Sequence, residues 1–142
     1  MGEKRAPFPR SPYQRLGNYV HLPRLIDKAR LHHQGLLNGY NYKTVGFDKH
    51  LLGFLKIDPD AFEKAALELE GDDAVLAWVQ AHAASHTAEE IEEWNQAMIM
   101  RHPDTAVKKA RFDHFLKEAG GEGRKDIATY FNLIEFDEGR LA

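Results

Sequence analysis

Apolar residues recur every three or four positions through most of the chain, and proline, glycine or a small polar residue stands at nearly every break. Leu22, Leu25, Ile26, Ala29 and His33 form the first such stripe. Pro23 suits a first helical turn, where its missing N–H costs nothing, and Gly35 is a good stop. A short helix is predicted from about Asp48 to Leu55. Asp58-Pro59 is an N-cap followed by a first-turn proline, opening a helix through Phe62, Ala65, Ala66 and Leu69. Gly71-Asp72 ends that helix and caps the next, whose stripe is Val75, Trp78, Val79 and His82. Thr87 and Glu90 fit a capping box, each side chain closing the other's free backbone N–H. The helix they start presents Ile91, Trp94, Asn95 and Met98 on one side and ends before Pro103. Asp104 caps a helix with Phe112, Phe115, Leu116 and Ala119 inward, stopped by Gly120-Gly121. A last helix runs from Asp126 to about Glu135. Gly35 to Gly46, with Tyr40 and Tyr42, reads as a loop or at most one short extended piece. No parallel-strand pattern or repeat appears. The predicted fold is all-α: a single compact domain of six to seven short helices over 13–142, one Tyr-containing loop, and a flexible, irregular N-terminal arm over 1–12.

Composition narrows the class. A chain of 142 residues, 43% hydrophobic and 29% charged, has the make-up of an ordinary globular domain that needs no metal or disulfide staple. The absence of cysteine excludes disulfides, thiolate catalysis and cysteine-ligated metal centres. A net charge of −3 argues against a strongly basic nucleic-acid binder, so nucleic acid is not an expected partner. No apolar run is long enough to span a membrane, and Met1 to Pro12 lacks the apolar stretch of a secretory signal. A cytoplasmic location without a membrane partner is expected.

The charges are unevenly spread. Residues 1–30 carry a net +5, residues 58–93 a net −10, and residues 101–125 a net +3 with Lys108, Lys109 and Arg111 close together. Such a layout suits steering of a partner, head-to-tail pairing of two copies, or complementarity within one molecule. On the first helix, Arg24 and Asp27 are three residues apart, as are Asp27 and Arg30, with Lys28 on a flank. Two readings follow for this face. Asp27 orients the arginines toward a phosphate or carboxylate, or the group forms a structural network tied to Asp137 and Glu138. Asn95 falls between Ile91, Trp94 and Met98 on the core-facing side, where its amide needs partners or lines a pocket with Trp94.

Other chemistry finds little support. His82 and His86 share the i, i+4 spacing of metal ligands, but Ala83, Ala84 and Ser85 between them supply no glutamate. Neither a metal nor a cofactor is expected. Ser11 and Ser85 are the only serines, and no phosphate-binding glycine loop or nucleophile elbow occurs. Glu89, Glu90, Glu92 and Glu93 read as a solvated face at a helix start.

The stretches Ser11-Pro12-Tyr13, Arg24 to Arg30, Trp78-Val79, Glu93-Trp94-Asn95 and Asp137-Glu138-Gly139-Arg140 occur in this order. Together they resemble the domain-of-unknown-function family numbered 5069, over about Arg10 to Arg140. The resemblance implies a stand-alone bacterial domain and brings no activity or site residue. The residues favour a non-catalytic module that binds a small anionic ligand or a protein partner, with Arg24, Asp27, Lys28 and Arg30 as the anion-binding face; a homo-oligomer fits the charge layout. The alternative is a small enzyme with a pocket near Trp94 and Asn95, acting on an anionic metabolite.

Overall fold

Gly17 and Asn18 make a tight turn with positive φ at both residues, 55° and 70°. A two-residue hairpin needs that conformation, and glycine and asparagine tolerate it best. The turn joins β1 (Arg15–Leu16) to an antiparallel β2 (Tyr19–Val20), with Arg15 opposite Val20. This ladder is absent from the sequence expectation because strands of two residues are too short to show an alternating pattern. The computed structural model describes residues 6–142, and every statement of structure concerns these described residues.

Helices make up most of the rest. They are α1 (Leu22–His33), α2 (Gly46–Leu55), α3 (Pro59–Glu68), α4 (Gly71–His82), α5 (Ala88–Ile99), α6 (Ala106–Glu118) and α7 (Tyr130–Asp137). The predominantly helical class is as the periodicity predicts. The contacts fall into two compact units, Met1–Glu92 and Glu93–Ala142.

In the first unit α1 packs against α3 and β1, and α3 against α4. Its core takes Leu22, Leu25 and Ile26 from α1, Leu51 and Leu55 from α2, Phe62 from α3, and Val75 and Val79 from α4. Each such side chain contributes about 1.5–3 kcal/mol by leaving water. The caps explain several helix starts. Asp58 accepts from the Ala61 N–H at 3.0 Å. The Thr87–Glu90 box closes reciprocally at 2.8 and 3.1 Å.

The predicted arm over 1–12 is described in part. Residues 1–5 lie outside the described residues, but Pro9, Ser11 and Pro12 are buried and Arg10 is ion-paired.

In the second unit α6 packs on α7, and Phe112, Leu116, Ile127 and Leu133 form the core, with Phe115, Tyr130 and Phe136 against it. Two predicted boundaries shift here. Thr105, not Asp104, caps α6 by accepting from the Lys108 N–H, while Asp104 pairs with the Lys108 ammonium. The last helix starts at Tyr130 rather than Asp126, because the Thr129 hydroxyl accepts from the Asn132 N–H and makes the cap. Ile127 is buried ahead of that helix, so its apolar spacing continues the stripe without being helical.

Candidate functional site

Two places concentrate chemistry, one in each unit. In the first unit a carboxylate sits on the apolar stripe of α2. Asp48 stands in line with Leu51, Leu52 and Leu55 and is wholly buried. A buried carboxylate must be neutralised and hydrogen-bonded. The His21 ring contacts Oδ1 through Nε2 at 2.6 Å, the Lys28 ammonium lies 3.2 Å from both oxygens, and the Lys43 N–H donates to Oδ2 at 2.9 Å. Burial opposes the charge on Asp48, but Lys28 and then the His21 hydrogen bond outweigh it and hold the carboxyl below its ordinary range. An ionised carboxylate only accepts, so Nε2 of His21 carries the proton. Burial pushes the His21 pKa down against the pull of Asp48, and the ring is neutral at pH 7. Its Nδ1 is buried and has no hydrogen-bond partner among the described residues.

Arg24 and Lys28, one helical turn apart on α1, share the Tyr40 ring, with their cationic centres 5.6 and 5.9 Å from its centroid. Lys28 also donates to the Asn41 carbonyl at 2.7 Å. The Tyr-containing loop thus lies against α1 through cation–π contacts and a charge-assisted hydrogen bond. Next to it the Tyr42 hydroxyl donates to Glu63 at 2.6 Å. That bond holds the Glu63 carboxyl down, while burial and then Glu63 push the phenol up.

The four α1 residues read from the sequence as an anion-binding face each have partners within the first unit. Asp27 accepts from the Arg10 backbone N–H, Nε and Nη2 at 2.9, 3.0 and 3.1 Å. The same guanidinium grips Asp72 at 2.6 and 2.9 Å. These contacts hold Asp72 below its usual range, and they raise Arg10, through Asp72 foremost, against the opposing effect of burial. Arg30 donates to the carbonyls of Ala66 and Leu69, satisfying the end of α3. Arg24 is 1% exposed and donates to the Arg10 carbonyl; Lys28 is 6% exposed and bound to Asp48. Helical spacing brings Arg24 and Lys28 together with His21, Asp48 and Tyr40, whereas Asp27 and Arg30 turn to other partners.

A His–Asp pair can orient a general base, but a base must reach its substrate. With His21 at 1% exposure and Asp48 at 0%, this pair is part of the interior. Its sequence signal was the aspartate on the α2 stripe.

The second place is a groove of about 900 Å³ alongside α6, within the range of small-molecule sites. Leu116, Ile127, Ala110 and Ala128 give it an apolar lining, and Lys109, Lys117, Arg124 and Lys125 bring cations to it. Lys109 pairs with Asp113 at 2.6 Å, Lys117 with Glu122 at 3.8 Å, and Arg124 with Asp126 at 2.6 Å. These pairs are solvent-exposed and hence easily exchanged. Lys125 is exposed and has no acidic partner among the described residues. Thr129, the α7 cap, also lines the groove.

A family model described as Domain of unknown function (DUF5069) matches residues 6–140. The chain belongs to this family. No curated protein matches it. The DUF5069 match covers the α1 cluster and the α6 groove alike.

The remaining sequence candidates fall elsewhere. Asn95 is wholly buried and Trp94 half-buried, and neither lines the α6 groove. His82 stacks on Trp78 with Nδ1 against the Trp78 carbonyl, and His86 stacks on Phe54 with Nε2 against the Phe54 carbonyl. Each of these imidazoles is held by an aromatic ring and a backbone oxygen. Among the described residues no helix is long and apolar enough to cross a membrane.

Proposed function

We propose that this protein is a non-catalytic binding module for an anionic partner, and that the groove beside α6 is its binding surface. One observation carries the reading: exposed cations, including Lys125, which has no acidic partner among the described residues, stand around an exposed apolar lining of Met100, Ala110 and Ala128. An anion at this rim replaces weak, solvent-screened ion pairs with its own and gains the apolar contact as well. The α1 charges do not compete for this role, because Asp27, Arg30 and Lys28 are engaged with Arg10, the end of α3 and Asp48. The enzyme alternative gains nothing from the His21–Asp48 pair, which lies in the interior.

Titration of the ¹⁵N-labelled protein with a hexaglutamate peptide tests this. The reading predicts amide shift changes confined to residues around Lys117, Lys125 and Ile127, reversed by added salt and not produced by hexalysine. Changes centred on α1, or none at saturating peptide, would overturn it.

A further inference from the structure

The chain's own surface carries a set of acids that complements the groove. Where α3 ends and α4 begins, Glu68, Glu70 and Asp73 are exposed and have no hydrogen-bond or ion-pair partner among the described residues. Their neighbours are engaged: Asp58 caps α3, Asp60 and Glu63 pair with Lys43, and Asp72 pairs with Arg10. Glu68 ends α3, where the helix dipole disfavours a carboxylate, and Glu70 as N-cap makes no side-chain cap bond. Beneath the corner Arg30 already satisfies the Ala66 and Leu69 carbonyls. Glu70 and Asp73 stand at the start of α4, where the helix dipole favours carboxylates, but none of the three acids is neutralised by an ion pair among the described residues. Beside them Leu67 is 37% exposed, a large apolar side chain at an acidic corner.

We infer that the occupant of the α6 groove is a second copy of this chain, with the Leu67–Asp73 corner of one molecule seated on the Lys117 and Lys125 rim of another. The inference rests on the anionic reading of that groove and names its partner. The carboxylates Glu68, Glu70 and Asp73 meet the rim cations, and Leu67 meets the exposed lining of Met100, Ala110 and Ala128. The match is both electrostatic and apolar, which a lone phosphate does not provide. The two surfaces differ, so the contact is head-to-tail, and every associated pair keeps one free corner and one free groove. A single corner makes a small interface, so the association is weak, concentration-dependent and sensitive to salt.

Sedimentation equilibrium of the full chain over a wide concentration range provides the test, with two multiple variants made entirely of exposed positions. One is Glu68→Gln/Glu70→Gln/Asp73→Asn, and the other is Lys117→Gln/Lys125→Gln. The parent is expected to self-associate beyond the dimer as concentration rises, and to dissociate in about 1 M NaCl, where the Debye length is about 3 Å. Each variant alone associates about tenfold more weakly. An equimolar mixture of the two forms a dimer and stops there, because it contains one working groove and one working corner. A parent that stays monomeric throughout, or variants that associate as the parent does, would overturn the inference. If the monomeric parent still binds hexaglutamate, the groove takes an acidic segment of a different protein and only the second-copy assignment falls. Loss of hexaglutamate binding removes the underlying reading as well.

Discussion

Asp48→Asn removes one charge from the buried centre of the first unit while leaving the shape of the side chain nearly unchanged. Asp48 accepts from His21, Lys28 and the Lys43 N–H and has no exposed surface. The Lys28 ammonium is 3.2 Å from each carboxylate oxygen. At an effective dielectric constant of about 20, that separation corresponds to about 5 kcal/mol of attraction. Asparagine retains one acceptor oxygen but places an N–H₂ group against the donors. The variant should therefore lose about 3–5 kcal/mol, the usual effect of removing one member of a buried ion pair. For a chain of this size, that lowers Tm by about 10–20 °C. Urea denaturation followed by circular dichroism measures the loss, with an unchanged slope showing that the unfolding transition is otherwise the same. Adding Lys28→Met to Asp48→Asn removes the second charge and should recover more than half of the loss. A loss under about 1 kcal/mol, or a double variant less stable than Asp48→Asn alone, would refute the assignment of Asp48 as the neutralising centre.

Other consequences follow from neighbouring geometry. Arg10→Ala breaks two bidentate contacts at a partly buried site and should cost about 1–3 kcal/mol, with Arg10→Lys recovering less than half because a point charge cannot span Asp27 and Asp72 together; the urea midpoints decide. His21 resists protonation in the folded state because burial outweighs Asp48, so its contribution is complete above its ordinary value of 6.5 and is lost as pH falls below it. His21→Asn, which retains a donor and tolerates the left-handed backbone, should flatten the stability profile below pH 6.5 by up to about 1.4 kcal/mol per pH unit, one proton's worth; identical parent and variant profiles would contradict this. The lowered Asp48 acts in the same direction at more acidic pH, its contribution present above the ordinary carboxylate value and lost as pH falls through the folded one. Gly17→Ala should destabilise by about 1–3 kcal/mol, since φ is +55° and the new Cβ meets Leu76. Gly35→Ala, with φ +72° and open space around it, should cost about 1 kcal/mol.

Sequence reasoning succeeds where a feature is local. Pro23 and Gly35 bracket α1, Asp58-Pro59 opens α3, and Thr87 with Glu90 announces α5, each through contacts within a few residues. It fails where two adjacent residues both make good caps, as with Asp104 and Thr105, and where a stripe continues into non-helical chain, as at Ile127. The α1 face shows the same limit. Spacing on one helix offered Arg24 and Arg30 to Asp27, but Arg10, seventeen residues away, takes Asp27 because it reaches Asp72 at the same time. Asp48 is named in the sequence only as the start of a short helix; its i, i+3, i+4, i+7 register with Leu51, Leu52 and Leu55 carries the signal of a buried carboxylate, and nothing in the spacing names His21 as its partner. Along the groove, the positive excess of residues 101–125 was plain. Its apolar lining was not, because Leu116 and Ile127 meet only when the segment after α6 folds back on that helix.

Calorimetric titration of hexaglutamate into the parent, Lys117→Gln/Lys125→Gln and Asp27→Asn separates anion binding at the α6 groove from binding along α1. Binding should weaken about tenfold in the groove variant and stay within about twofold of the parent in Asp27→Asn. The opposite order, with the groove variant binding like the parent and Asp27→Asn altered, would contradict binding at the groove.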